Sequence, residues 1–279
     1  MKKVYAVIVM SIVAAFLSIA WKSADDASDY QSKSFAVQQG GLLTVDVEPG
    51  SVRIESSSKD EVTVEAEGID ERHPDRLVMT QSGNNITVKY KDRRSHSDNI
   101  KFNIMVPLKF NVDVQTTGGS IKQKDVLTGD FKAESGGGSI EIDHIIGKVD
   151  VETGGGSIKV EKIEGDAKMQ TGGGSIEIGT VTGTLSARTG GGSITFRDAG
   201  GKVNASTGGG SVNVENAKEW IDISTGGGSV HVRGAKYGVK VRTGGGGIEM
   251  EVIAKCRCGN EHCPNSHGHC RQHSPRPHG

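Results

Sequence analysis

The chain has 279 residues, with 41 Gly (about twice the usual share), only 7 Leu and 12 aromatic residues. So little Leu argues against a helical bundle, a coiled coil or an ordinary α/β enzyme, and six Pro with no Gly-x-y period exclude collagen. Balanced charge, 33 basic against 34 acidic residues, argues against a nucleic acid or a polybasic membrane surface as main partner.

Lys2 and Lys3 precede an uncharged run from Val4 to Ala20, and Ser18 and Ala20 are small residues at the −3 and −1 positions of a cut after Ala20. A basic start, an apolar stretch and a small-x-small site describe a secretory signal peptide over residues 1–20. The alternative is a retained anchor, for which a run of 17 residues is short. Cleavage leaves 31 basic against 34 acidic residues and no integral membrane span. The mature chain is then expected in the periplasm, at the cell surface or secreted. Residues 21–33 are polar and read as a flexible linker.

Residues 34–115 are β-rich but irregular. Alternating apolar residues predict strands at 42–47, 51–55, 61–67, 77–81, 85–90, 100–107 and 111–115. Ser51–Ile54 followed by Val62–Val64 reads as a degenerate copy of the repeat that comes next, and the segment as its N-terminal cap. Asp92–Asp98 reads as a charged hairpin loop.

Residues 116–253 carry that repeat. Gly-Gly-Ser ends at Ser120, Ser139, Ser157, Ser175, Ser193, Ser211 and Ser229, spaced by 19 and then five times by 18. An eighth turn has Gly247 in the Ser place. Each turn is followed by alternating apolar pairs such as Ile158/Val160 and Ile176/Ile178, a third apolar column from Leu127 to Ala235, and a second pair such as Val149/Val151. Period two with β-branched residues means short strands with one buried face. Strands this short cannot bury a core alone, so the units stack. The predicted fold is all-β: a single-chain parallel β-solenoid, a β-helix with about 18 residues per coil and two main strands in each.

Eight coils about 4.8 Å apart give a rod of about 38 Å. A narrow core is expected to admit Ile, Val and Ala but not rings. The outward column Lys122, Glu141, Lys159, Glu177 alternates in sign, as in-register parallel neighbours favour. Glycine marks both corners: 24 of the 41 fall in the eight turns, and Gly129, Gly147, Gly165, Gly183 and Gly201 mark the opposite corner. Left-handed φ and close backbone approach are the expected reasons.

Val106-Pro107, Val112-Asp113-Val114 and the repeated T-G-G-G-S-I-x-V units after a signal peptide resemble the bacterial “putative adhesin” β-strand-repeat family, a domain of unknown function. The resemblance covers about residues 40–253. It implies an exported or envelope-associated repeat protein and supplies no catalytic residues.

The tail, residues 254–279, lies outside that pattern. It holds all four cysteines (Cys256, Cys258, Cys263, Cys270) and His262, His267, His269, His273 and His278. Two disulfides would suit export, with three possible connectivities. Ligation of Zn or Cu would suit the dense His. Binding by a partly oxidised tail is a mixed case.

Within the repeat, no Gly-rich turn carries the Asp of calcium-binding coils, and each is followed by a strand rather than the helix of a phosphate loop. No catalytic constellation is visible, so the chain reads as non-enzymatic. The chief irregularity is late: Glu219 and Tyr237 replace the corner Gly, and Trp220 follows Glu219. Trp220 and Tyr237 should lie on adjacent coils, either binding a sugar or a partner or covering the end of the core. The Thr153–Thr243 and Ser157–Ser229 columns could order water if their hydroxyls faced outward, although Thr at a turn more often bonds nearby backbone. The expected function is an adhesin-like binding scaffold at the cell envelope or surface, its partner an envelope protein or a glycan, not a nucleic acid. The alternatives are metal binding through the tail and a carbohydrate-active β-helix enzyme.

Overall fold

The computed structural model describes residues 30–69, 73–91, 100–251 and 269–271. The expected signal peptide, the Asp92–Asp98 loop and most of the tail lie outside the described residues. The irregular part comprises β1 (Tyr30–Ala36), β2 (Gly41–Glu48), β3 (Ser51–Ser57), β4 (Glu61–Glu67), β5 (Leu77–Ser82), β6 (Asn85–Lys91) and β7 (Lys101–Pro107). The coils follow as β8 (Phe110–Thr116), β9 (Ile121–Thr128), β10 (Phe131–Ser135), β11 (Ile140–Ile146), β12 (Val149–Thr153), β13 (Ile158–Glu164), β14 (Ala167–Thr171) and β15 (Ile176–Val181). They continue as β16 (Leu185–Thr189), β17 (Ile194–Ala199), β18 (Val203–Thr207), β19 (Val212–Ala217), β20 (Ile221–Thr225), β21 (Val230–Val232), β22 (Val239–Thr243) and β23 (Ile248–Glu251), with β24 (His269–Arg271) from the tail.

The strands form two sheets facing across one core. Odd-numbered strands from β9 to β23 stack in parallel in sheet A, and even-numbered strands from β8 to β22 in sheet B. Register advances by 18 residues: Ile140 pairs with Ile158, then Ile176, Ile194, Val212, Val230 and Ile248. Sheet B repeats this from Phe131 through Val149, Ala167, Leu185, Val203 and Ile221 to Val239. The chain is therefore a parallel β-solenoid of about 18 residues per coil. The expected inward columns are buried, including the third column from Leu127 to Ala235; only Val241 and Ile248, at the last coil, are partly buried.

Rings do enter the core, contrary to the narrow-core expectation. Tyr90, Phe102, Phe110, Phe131 and Phe196 are all buried. Tyr90 and Phe102 meet in the wider N-terminal layers, their centroids 5.9 Å apart. Phe196 fits because β17 packs against β16 and β18, which contribute Ala187 and Ala205, and its own coil carries Ala199. Large and small residues compensate at constant core volume.

The single 19-residue spacing is a bulge. Pairing of β9 with β11 skips one residue between Ile142 and His144, and Asp125 there takes a left-handed φ of 66°. Gln123 stands fully buried in an Ile/Val column beside it. Its amide donates to Lys124 O and Asp125 O at 2.8 and 3.0 Å and accepts from Asp143 N at 3.2 Å, satisfying the backbone that the extra residue frees.

The N-terminal part is a cap, but its path differs from a worn coil leading into the rod. β2 and β3 form a layer that packs on β8 and β9. The chain then passes to the outer side of that layer, lays down β6 and β7, and crosses back to β8. Ser51–Ile54 is thus a coil strand, whereas Val62–Val64 in β4 turns back antiparallel on β7. β5 closes sheet B antiparallel on β6 and β1 closes sheet A antiparallel on β4. The expected linker accordingly gives way to strand at Tyr30. Lys33 donates to Met79 O and Gln81 to Ala36 O, tying the two edge strands together across the rod's end. Antiparallel strands end a parallel stack without offering it another coil. Among the described residues, no helix is long and apolar enough to cross a membrane.

Candidate functional site

The corners set what the rod can present. In each Gly triplet the first and third positions face a carbonyl of the coil before, too close for any Cβ; it belongs to the matching Gly except at Gly136, which faces Thr117 O. The middle position is open: at Gly173 the nearest atom to an added Cβ would be Gly155 O, at 3.9 Å. The triplet corner therefore uses Gly for close approach and not for left-handed φ. At the opposite corner Gly129 and Gly147 have φ of 147° and 155° and also face backbone.

The Thr column locks these turns and is buried from Thr153 to Thr225, with Thr243 of the last coil half-buried. Thr171 Oγ1 donates to Gly156 O of the preceding coil at 2.7 Å and accepts from Gly174 N of its own at 3.2 Å. The pattern recurs at Thr153, Thr189, Thr207, Thr225 and Thr243. Ser175 Oγ similarly accepts from Ser193 N at 3.2 Å. The Thr hydroxyls face inward and are consumed by backbone, so this column is not a water-ordering surface.

The two outer faces carry ladders. On sheet A, Lys122 pairs with Glu141 and Lys124 with Asp143 in the next coil. Glu164 accepts from Lys162 Nζ at 2.6 Å and from His144 Nε2 at 3.1 Å, and these bonds, that of Lys162 foremost, hold its carboxyl below the ordinary range. On sheet B, Lys168 donates to Asp150 at 3.1 Å. Toward the C-terminal end some outward columns turn neutral, while the Arg197, Glu215, Arg233 and Glu251 column of sheet A stays charged. Sheet A continues with Thr195 and Asn213 before the His231–Glu249 pair at 3.0 Å. Sheet B continues with Ser186, Asn204, Ser206 and Ser224 before Asp222 meets Arg242 at 3.1 Å. A hollow of about 590 Å³ lies over the last coils of sheet A, lined by Thr195, Asn213, His231, Arg233, Glu249 and Glu251.

Trp220 and Tyr237 stand on adjacent coils, as the period demands, and outside the core, 39% and 69% exposed. The six-membered ring of Trp220 occupies the space a side chain at Gly238 would need. Trp220 thus rests its six-membered ring against Gly238 of the next coil, and its carbonyl accepts from Val203 N of the preceding one at 3.0 Å. Gly238 was not singled out from the sequence. Its signal is a shift of one place: the corner column of Gly ends at Gly201 and reappears at Gly238, one residue late and directly below Trp220.

Of the tail residues, His269 and Cys270 have their backbones in β24, which pairs antiparallel with β23 in the register Glu251–His269 and Met250–Cys270. Cys256, Cys258, Cys263, His262, His267 and His273 lie outside the described residues. The tail thus contributes a strand to the end of sheet A rather than standing wholly apart.

The family described as Toastrack DUF4097 matches residues 42–255. No curated protein matches the chain. Among solved structures, a “putative lipid binding protein” from Parabacteroides distasonis is similar with a TM-score of 0.52 and 17% identity, over 84% of this chain and 98% of its own. A “putative adhesin” from Bacteroides fragilis is 15% identical, with a TM-score of 0.45, over 83% of this chain and 98% of its own. Another “putative adhesin”, from Parabacteroides merdae, is 12% identical with a TM-score of 0.47, over 83% and 96%. At such identities the likeness is one of fold.

Proposed function

The chain belongs to the Toastrack DUF4097 family, and from that premise we propose that it is an exported, non-enzymatic β-solenoid scaffold that binds at the cell envelope through the corner bearing Trp220 and Tyr237. One observation carries the reading. These two rings are large aromatics that the regular coils leave exposed, and they stand on adjacent coils at one corner. An indole packed against Gly238 has less rotamer freedom to lose, so binding through it costs less conformational entropy. The basic, apolar and small-x-small signals of residues 1–20 support export.

Export is tested by fractionating producing cells and sequencing the N-terminus of the exported chain; cleavage after Ala20 is expected, and retention in the cytoplasm refutes the reading. Binding is tested with the purified chain and envelope fractions. The Trp220→Ser/Tyr237→Ser variant should melt as the parent does and lose retention. A large fall in melting temperature would show instead that the rings cap the core.

A second reading rests on the pairing of β24 with β23, which brings His269 and Cys270 to the last coil. There the tail binds Zn or Cu or forms disulfides. Elemental analysis and a thiol count on exported protein test it: bound metal or fewer than four reactive thiols is expected, and four free thiols with no metal refute both forms.

A further inference from the structure

We propose that the outer face of sheet B over β16, β18 and β20, together with Trp220, is a binding strip for an extended, uncharged oligosaccharide. The proposal rests on the reading of Trp220 as a binding residue and names the class of ligand. The strip lies between two ionic borders. On one side Lys168 pairs with Asp150, and on the other Asp222 pairs with Arg242, each at 3.1 Å. Between them Ser186 faces Asn204 and Ser206 faces Ser224 on neighbouring strands. All four are at least partly exposed. Arg188 stands beside Ser206 and supplies guanidinium donors without a fixed carboxylate nearby in its column.

Three features fit a sugar chain and not another polymer. A pyranose has an apolar face of C–H groups and a rim of hydroxyls. The first asks for an aromatic platform, and the second for hydroxyls and amides that both donate and accept. Trp220 supplies the platform: its six-membered ring rests against Gly238 and the residue is 39% exposed. Ser186, Asn204, Ser206 and Ser224 supply the rest, repeated at the coil spacing of about 4.8 Å so that successive units of an extended chain meet equivalent groups. A peptide adding as a strand needs a free edge, but β16, β18 and β20 are paired on both sides. An anionic polymer would need unpaired cations in number, whereas the neighbouring Lys168 and Arg242 are each held by an aspartate, which leaves Arg188 and Lys202 beside the strip.

The sequence contains two Trp, so Trp21→Phe leaves Trp220 as the sole indole. The purified chain carrying Trp21→Phe is titrated with chitohexaose, cellohexaose and laminarihexaose, by fluorescence and by calorimetry. At least one hexasaccharide should shift the Trp220 emission saturably. In the parent chain Trp220→Ala should weaken calorimetric binding about tenfold, the scale of an aromatic anchor. Trp220→Phe should recover part of it. Ser206→Arg, which leaves the aromatic corner intact, should also weaken it by filling the strip. Binding of none of the three sugars overturns the proposal, whether or not a protein ligand is found. So does a Trp220→Ala or Ser206→Arg chain that melts normally and binds as the parent does. Loss of envelope retention in the Trp220→Ser/Tyr237→Ser variant, with none of the sugars bound by the parent, would leave Trp220 as a binding residue and overturn only the sugar class.

Discussion

The triplet corner makes a sharp contrast between adjacent glycines. At Gly174 an added Cβ would fall inside the carbonyl of Gly156 and lie 2.7 Å from Ser157 N. Restoring ordinary separations of about 3.5 Å requires the facing coil to recede by roughly 1 Å. That recession opens the Thr171 Oγ1–Gly156 O bond of 2.7 Å and the Ile158 N–Ser175 O bond of 2.9 Å. Overpacking of about 1–3 kcal/mol, with two backbone-directed bonds at about 0.5–1.5 kcal/mol each, puts Gly174→Ala at roughly 2–6 kcal/mol. At Gly173 the nearest atom is 3.9 Å away and φ is outside the left-handed region. Gly173→Ala should therefore change stability by no more than about 1 kcal/mol, toward greater stability because Ala restricts the unfolded chain. Urea unfolding of both variants, followed by circular dichroism at fixed m-value, makes the comparison. Equal midpoints for the two variants would refute close approach as the reason for the corner Gly.

Thr189→Val keeps the shape of a buried side chain but leaves Gly174 O and Gly192 N without the hydroxyl they share; a loss of about 1–3 kcal/mol is expected in urea unfolding, and Thr189→Ser should recover most of it. Gln123→Val should cost a similar amount by stranding the bulge backbone, whereas Gln123→Val combined with deletion of Asp125 restores an 18-residue coil and should recover stability; a double variant no better than the single one would refute the bulge account. Glu164, whose pKa is lowered, contributes stability that is present above the ordinary carboxylate range and is lost as pH falls through its lowered value. Lys162→Met should raise that pKa toward the ordinary value in an NMR titration of the side-chain carboxyl, and an unmoved titration would refute the assigned cause.

Much of the fold was legible because a stacked solenoid repeats its reasons. Every coil must bury the same positions, so the columns headed by Ile140, Leu127 and Phe131 read as inward from the period alone, and all their members are buried except Ile248 of the last coil, which is partly buried. The outward alternation from Lys122 to Glu177 likewise matches the pairing register. The cap was legible only in part. Its strands follow from alternation, but nothing local tells β4 to turn back antiparallel while β3 joins a coil, because both carry the same period-two pattern. The placing of Trp220 and Tyr237 on neighbouring coils was readable from the period. That Trp220 rests on Gly238 was not, since the contact joins residues 18 apart in sequence through the stacking of two coils.

The sequence by itself determined the period, the inward columns and the corner glycines, each a local pattern repeated until chance is excluded. Only the tertiary structure decided that the triplet Gly serves close approach rather than left-handed φ, that the Thr hydroxyls turn inward to bind the coil before, and that the first layers are laid down out of order. These depend on what faces a residue across the stack, and a neighbour in space 18 or more residues away leaves no mark on the local alternation that reveals a strand.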